Sequence, residues 1–325
     1  MADRQRVRAV ISAAVLVTAG AMVTSAQQGP VAAMFRDDLK RVQALGESFL
    51  PIELPAVGAA APLRVYLSAG DLEFAFDRAP YRPDGAIIPT NTALLTTAAS
   101  PTTQRVLIDR VSKQKAAMTD LQGLIDARRK QVAKPGGDAL QIGLDSFVAQ
   151  LKRRDGAEDA FPKSVCLIAT DFATGGAVDH RELFAQDRLR KGIAACLSGM
   201  DAAGAKSIVM PLVGAASAKI QENDPGFEGQ RLLKECRQIN SAAGIALGIH
   251  DFAATRRSVQ EIGIVQWDQD ITDMFQGSRL AQAAYRQYAE QIKRAVHKGI
   301  AGEKTTAADV EGNCAAIFNA TPGQH

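Results

Sequence analysis

Two uninterrupted apolar runs dominate the hydrophobic pattern of this chain. They span residues 165–169 and 208–213, and a helical pattern of apolar positions over residues 183–200 separates them. Strands that helices cover on both faces carry continuous rather than alternating apolar residues. The pattern therefore predicts a strand-helix-strand unit of a parallel sheet. Because ligands bind beyond the carboxyl ends of such strands, we expect the chemistry near Asp171 and Gly214.

Weaker patterns predict further elements on both sides of this unit. Strands are expected at residues 63–67, 85–88, 139–142 and 261–268, and helices at residues 103–132 and 270–297. Residues 227–255 predict one long helix bent near Gly244 or two helices, and residues 143–160 predict an amphipathic insertion. The succession of strands and helices indicates an α/β protein.

Composition divides the chain into four parts. Residues 1–26 have the pattern of a signal peptide or anchor, and residues 27–62 that of a short helix with a Pro/Ala-rich linker. Residues 63–275 form the predicted folded domain, followed by a helix and a mobile tail over residues 276–325. With 325 residues and 46% hydrophobic composition, the chain is long enough to bury a sizeable core.

The amino terminus resembles an export signal. Arginines precede an uncharged run over residues 9–23, and residues 24–26 supply the small side chains that signal peptidase requires. An uncleaved anchor extending to Ala33 is one alternative. A true start at Met22 or Met34 is another, and would make the protein cytoplasmic. We expect an exported protein, periplasmic or secreted, whose membrane contact is limited to such an anchor.

Charge and cysteine spacing exclude several function classes. The net charge of +3 gives no reason to expect a nucleic-acid partner. The four cysteines lack the short spacings of zinc or redox sites, and we expect buried thiols rather than disulfides. No metal or cofactor site is predicted. Basic residues in the last fifty positions indicate a solvated face or a surface for a protein partner: Arg279, Arg286, Lys293, Arg294, Lys298 and Lys304.

Five segments, in order, resemble those of the macro domain, the ADP-ribose-binding α/β/α fold, over about residues 63–268. They are Ser-Ala-Gly70-Asp71-Leu72, Asp84-Gly-Ala-Ile-Ile-Pro-Thr-Asn91, Gly137-Asp-Ala139, residues 163–172, and Lys206-Ser-Ile-Val-Met-Pro211-Leu-Val-Gly214. The resemblance implies a three-layer α/β/α domain with a central mixed, largely parallel sheet, here followed by a carboxyl-terminal helical extension.

The resemblance also implies roles for matching residues. Asp71 takes the place of the carboxylate that accepts the adenine amine, for which an ionised carboxylate is suited because it only accepts hydrogen bonds. Asn91 takes the place of the asparagine that faces the distal ribose. Gly214 begins the loop whose backbone N–H groups bind the diphosphate. The expected ligand is ADP-ribose or a related adenine nucleotide derivative.

Two departures from the family pattern bear on catalysis. The diphosphate loop continues as Ala215, Ala216 and Ser217, where the family has a further glycine. Asn91 is not followed by the glycine-rich run with an aspartate that hydrolytic members carry. We therefore expect binding without efficient catalysis. The alternatives are a hydrolase removing ADP-ribosyl groups, with Asn91 or Asp171 positioning water, and a degenerate fold that serves as an envelope interaction module.

Overall fold

Seven strands form one sheet at the centre of the molecule. The computed structural model describes residues 51–56, 58, 60–70, 83–91, 121–132, 146–151, 162–171, 186–214, 227–267, 279–310 and 314. The strands are β1 (Ile52–Leu54), β2 (Leu63–Gly70), β3 (Gly85–Asn91), β4 (Ser146–Gln150), β5 (Ser164–Asp171), β6 (Ser207–Pro211) and β7 (Glu261–Trp267). Their order across the sheet is β1-β2-β7-β6-β3-β5-β4.

Four α-helices and a short 3-10 helix complete the described elements. They are α1 (Leu121–Val132), α2 (Gln186–Ala202), α3 (Phe227–Ala253), α4 (Arg279–Ile300) and the 3-10 turn Ala307–Asp309. No helix among these residues combines the length and the apolarity needed to cross a membrane.

The five central strands are parallel, and the two edge strands are antiparallel to their neighbours. β2 pairs with β7, β7 with β6, β6 with β3 and β3 with β5, all in parallel. β1 and β4 add at the two edges, on β2 and β5. The predicted mixed, largely parallel sheet is confirmed.

Helices cover both faces of the sheet. Successive side chains of a strand point to opposite faces. On β4, Val148 lies against Gly199 of α2, whereas the ring of the neighbouring Phe147 lies 6.0 Å from the guanidinium carbon of Arg128 on α1. α1 and α2 therefore lie on opposite sides, which gives the expected three layers. This double cover explains the continuous apolar runs of β5 and β6.

The helical layer formed by α2, α3 and α4 is closely packed because glycines replace side chains at the contacts. A Cβ added at Gly248 would lie 2.8 Å from the Arg190 carbonyl oxygen, and one at Gly299 would lie 2.5 Å from the Ala246 Cβ. Gly244 plays the same part, and α3 continues through it as one helix. Of the two predictions for residues 227–255, the single helix is confirmed.

Two strands lie where the sequence predicted none. β1 falls within the expected linker, where Pro51 and Pro55 leave room for only three strand residues. β4 falls within the expected insertion, where Phe147 and Val148 belong to an apolar spacing that fits a helix as well as a strand. Pairing with β2 and β5 decides both cases, since each edge strand satisfies the backbone groups of its neighbour.

The prediction of free, buried thiols is wrong. Cys166 of β5 is bonded to Cys196 of α2, and Cys236 of α3 is bonded to Cys314, so that all four cysteines of the chain are paired. Burial was predicted correctly, since each is at most 1% exposed. The partners lie 30 and 78 residues apart, and only the fold brings them together.

The predicted carboxyl-terminal helix is present as α4, and it packs into the main core. α4 contributes Tyr288, Ile292 and Val296 to the main core. Residues 301–310 and Cys314, here called the C-terminal strap, then pack on the helical layer. The Ile300 carbonyl lies 2.8 Å from Nδ1 of His250, and the Lys298 ammonium lies 2.7 Å from a carboxylate oxygen of Asp309. The described part of this region is integral to the domain.

Candidate functional site

The carboxyl ends of three adjacent parallel strands meet at one edge of the sheet. In the order of the sheet these strands are β6, β3 and β5. β6 is followed in the chain by Gly214, β3 ends at Asn91, and β5 ends at Asp171. The crossover from β5 to β6 passes over β3, so the chain reverses its direction of winding here. Such a reversal is where open α/β sheets bind ligands. The sequence-predicted residues Asn91, Asp171 and Gly214 therefore share the expected edge.

Asn91 and Asp171 are cross-strand partners. Thr90 pairs with Ala169 and Asn91 with Asp171, so Thr170 is an extra residue in β5. Such irregularities are frequent beside binding and catalytic sites because they redirect the residues that follow. An amide residue and a carboxylate residue are thus brought side by side at the edge, although 80 positions separate them in the sequence.

Two threonines beneath this pair were not predicted as site residues. The Thr170 hydroxyl lies 3.5 Å from the Thr90 carbonyl oxygen. The Thr90 hydroxyl is buried and has no hydrogen-bond partner among the described residues. Thr90 stands directly before Asn91 in the sequence. A threonine near a strand end is ordinary, however, and does not by itself indicate a site.

Gly214 has a backbone conformation that suits an anion-binding turn. Its φ is 87°, in the left-handed region where a side chain is strained. A Cβ placed there would lie 3.4 Å from Oγ of Ser241, a buried residue of α3. A left-handed glycine lets consecutive backbone N–H groups point into one concavity. The positive φ of Gly214 is a conformation that glycine adopts without strain.

Polar side chains also organise the opposite, amino-terminal edge of the sheet. A carboxylate oxygen of Asp84 accepts a hydrogen bond from the Lys206 amide, and its other oxygen pairs with the Lys163 ammonium. Asp201 accepts hydrogen bonds from the amides of Ser258 and Val259. These carboxylates are fully engaged in joining elements, which leaves the carboxyl edge as the candidate site.

The pKa of Asp201 results from two opposing effects. Burial raises it by disfavouring the charged form, but hydrogen bonds from the Ser258, Val259 and Arg257 groups outweigh burial and hold the pKa below its usual range. A lowered pKa keeps the side chain ionised at neutral pH. Asp201 is therefore a structural anion that fixes the approach to β7, with no proton to offer a reaction.

Several predicted site residues lie outside the described part of the chain. These are Asp71, Ala215, Ala216 and Ser217. Within the described ranges, no group of three or more His, Cys, Asp or Glu side chains is arranged to hold a metal ion.

Part of the predicted basic surface is neutralised within the chain. Lys298 pairs with Asp309 at 2.7 Å, and Lys304 pairs with Asp187 at 2.6 Å. These two lysines contact the chain's own carboxylates and join the strap to α4 and α2. A protein partner on this surface stays a prediction.

Solved structures similar to this chain include macrodomains, the family that the five segments resemble. The Oceanobacillus iheyensis macrodomain with ADP is 10% identical, covers 78% of this chain with 100% of its own, and has a TM-score of 0.39. The macrodomain of Thermus aquaticus DarG is 13% identical over 62% of this chain and 97% of its own, with a TM-score of 0.34. A tomato leucine aminopeptidase mutant is 14% identical, and the match covers 79% of this chain and 39% of its own, with a TM-score of 0.36.

No protein-family model matches the sequence, and the search of curated proteins finds no match.

Proposed function

We propose that this chain binds ADP-ribose or a related adenine nucleotide derivative at the carboxyl edge of β6, β3 and β5. The observation that carries the proposal is the convergence of Gly214, Asn91 and Asp171 at the end of three neighbouring strands. A left-handed glycine can present backbone N–H groups to a diphosphate. A neighbouring amide and carboxylate can hydrogen-bond the hydroxyls of a sugar. Together they suit a ligand with phosphates next to a ribose.

Calorimetric titration of the purified chain with ADP-ribose tests the proposal. We expect saturable binding that Asp71→Ala weakens by about tenfold or more, since a charged group's hydrogen bond to the adenine amine would be lost. Glu53→Ala removes an exposed carboxylate on the edge strand β1. It is the matched control and should bind as the wild type does. Absence of heat and of any thermal shift at millimolar ADP-ribose would refute the proposed ligand.

Hydrolysis of an ADP-ribosyl linkage is the second candidate function. The specific observation in its favour is the pairing of Asn91 with Asp171, because an ionised carboxylate beside an amide can orient and deprotonate a water molecule. The assay is release of ADP-ribose from a modified protein. Loss of release in Asn91→Ala and Asp171→Asn, with ADP-ribose binding retained in Asp171→Asn, would assign catalysis. If the chain binds ADP-ribose but releases none from the modified protein, the hydrolase is excluded and the binding function remains.

Export to an oxidising compartment forms part of the proposal. All four cysteines are paired in two buried disulfides, and such bonds persist in secreted and periplasmic proteins but are rare in the cytosol. This agrees with the signal-like amino terminus. The ligand would then be an extracellular or periplasmic nucleotide derivative.

A further inference from the structure

A series of close approaches, ending in one hydrogen bond, runs from the Gly214 turn to the C-terminal strap. It begins where Gly214 approaches Ser241 of α3, at 3.4 Å from Oγ to a Cβ position on the glycine. One helical turn later, a Cβ on Gly244 would lie 3.2 Å from the Gln186 carbonyl oxygen in the first turn of α2. Gln186 Nε2 then donates to the Thr305 carbonyl of the strap at 2.8 Å.

The described start of α2 belongs to the site edge of the molecule. Its other end, at Asp201, binds the residues that lead into β7 at the opposite edge. A helix that returns the chain between parallel strands runs antiparallel to them, so Gln186 lies toward the carboxyl ends. Fourteen residues connect Asp171 to Gln186. A contact that holds Gln186 in place therefore also holds the end of the segment that connects Asp171 to α2.

The strap is itself fixed at three points. The disulfide between Cys314 and Cys236 attaches it to α3. The Lys298–Asp309 pair attaches it to α4, and Asp309 also accepts hydrogen bonds from the Thr306 amide and hydroxyl. The Lys304–Asp187 pair adds a contact to α2 beside Gln186, although both groups are exposed and the pair alone is weak. The strap therefore links the first turn of α2 to α3 and α4.

We propose that the C-terminal strap is a positioning element of the candidate site, holding the first turn of α2 and, through Gly244 and Ser241, the Gly214 turn. The inference rests on the proposed function for its ligand. Gln186 is then a positioning residue, which acts on the site through the elements it joins and does not touch the ligand. Opening the Cys236–Cys314 disulfide weakens binding at a distance.

Two variants release the strap at different points. Gln186→Met removes the hydrogen bond to Thr305 and keeps the length of the side chain. The double variant Cys236→Ala with Cys314→Ala removes the covalent attachment. Arg256→Met is the control, because Arg256 donates to the Pro55, Ala61 and Ala253 carbonyls at the opposite edge. The loss of these hydrogen bonds should destabilise the domain but leave the geometry of the candidate site unchanged.

The variants are compared by ADP-ribose titration well below their melting temperatures and by amide hydrogen exchange. We expect affinity to fall about threefold to tenfold in both strap variants and to stay within about twofold in Arg256→Met. Exchange should accelerate at residues 186–190 and 212–214 in the strap variants only. Unchanged affinity and exchange in the folded strap variants would overturn the inference, as would an equal loss in Arg256→Met.

The two proposals fail separately in this experiment. If the wild type gives no binding heat, the proposed ligand is refuted, and hydrogen exchange alone still decides whether the strap holds the Gly214 turn.

Discussion

Gly214 and Gly204 share a left-handed backbone but differ in their surroundings. Their φ values are 87° and 80°, and only Gly214 has a neighbour, Ser241, within 4 Å of an added Cβ. The strain of a left-handed alanine is about 1–2 kcal/mol wherever it occurs. Comparing alanine substitutions at the two glycines therefore distinguishes an effect of backbone strain from an effect on ligand binding. Gly204 turns the chain between α2 and β6 at the amino edge, whereas Gly214 turns it at the site.

Alanine at either glycine should therefore destabilise the domain by a similar amount, and only Gly214→Ala should weaken ADP-ribose binding. Urea denaturation measures the stability and calorimetry the affinity. Equal loss of affinity in Gly204→Ala would show that general destabilisation explains the effect, and full affinity in Gly214→Ala would exclude the Gly214 turn from the binding site.

Asp309 makes the strap sensitive to acid. Burial raises its pKa, but hydrogen bonds from Lys298 and from the Thr306 amide and hydroxyl, together with the Lys298 charge, lower it to about 2. Since the pKa is lower in the folded chain than the ordinary value near 4, ionised Asp309 stabilises the fold above about pH 4. That contribution decreases as the pH falls from about 4 toward 2.

The corresponding experiment compares the wild type with Asp309→Asn. We expect the variant to unfold at lower temperature at pH 7 and the difference to narrow as the pH falls below 4, because the wild-type side chain then becomes neutral as well. Thermal denaturation monitored by circular dichroism over this pH range measures the effect. A stability difference that is independent of pH would contradict the assignment.

At the scale of elements, the disulfide between Cys166 and Cys196 joins the central strand β5 to α2. Closing a loop of 30 residues is expected to stabilise the domain by about 3.5 kcal/mol, mainly by restricting the unfolded chain. The double variant Cys166→Ala with Cys196→Ala should lose about that much in urea denaturation under oxidising conditions. Under reducing conditions that break both bonds in the wild type, the difference should shrink.

The elements that the sequence predicted correctly are those whose pattern is local. The apolar runs of β5 and β6 and the helical stripe of α2 each contain the information for their own structure. β1 could not be predicted, because three residues between prolines form a strand only through pairing with β2. Arg256 supports this strand from a distance of 201 positions, by donating to the Pro55 carbonyl.

The position of the candidate site in the fold was predictable to a similar extent. Asp171 and Gly214 follow from the rule that ligands bind beyond parallel strand ends, and Asn91 followed from the family resemblance. Their side-by-side placement depends on β3 lying between β5 and β6, which no local pattern specifies. The disulfides were missed for the same reason, since cysteine spacing carries no record of which helix covers which strand.

At the scale of the whole molecule, the proposed export makes two chemical predictions about the protein recovered from its native host. The chain should begin at Gln27 if signal peptidase cuts after Ala26. Its mass should be lower than that of the reduced chain by the four hydrogens that two disulfides remove. Mass spectrometry before and after reduction measures both. An intact amino terminus with four free thiols would place the protein in a reducing compartment.

The two disulfides also determine how the chain separates after cleavage by a protease. They close one covalent ring over residues 166–196 and another over residues 236–314. A single cut within 172–185 or 268–278 falls inside a ring, so both products stay bonded and migrate together on a non-reducing gel. A cut within 215–226 falls between the rings and yields two separable fragments. Of the connections that follow the three strand ends of the candidate site, those after Asn91 and after Gly214 lie outside both rings, so a single cleavage in either can divide the molecule.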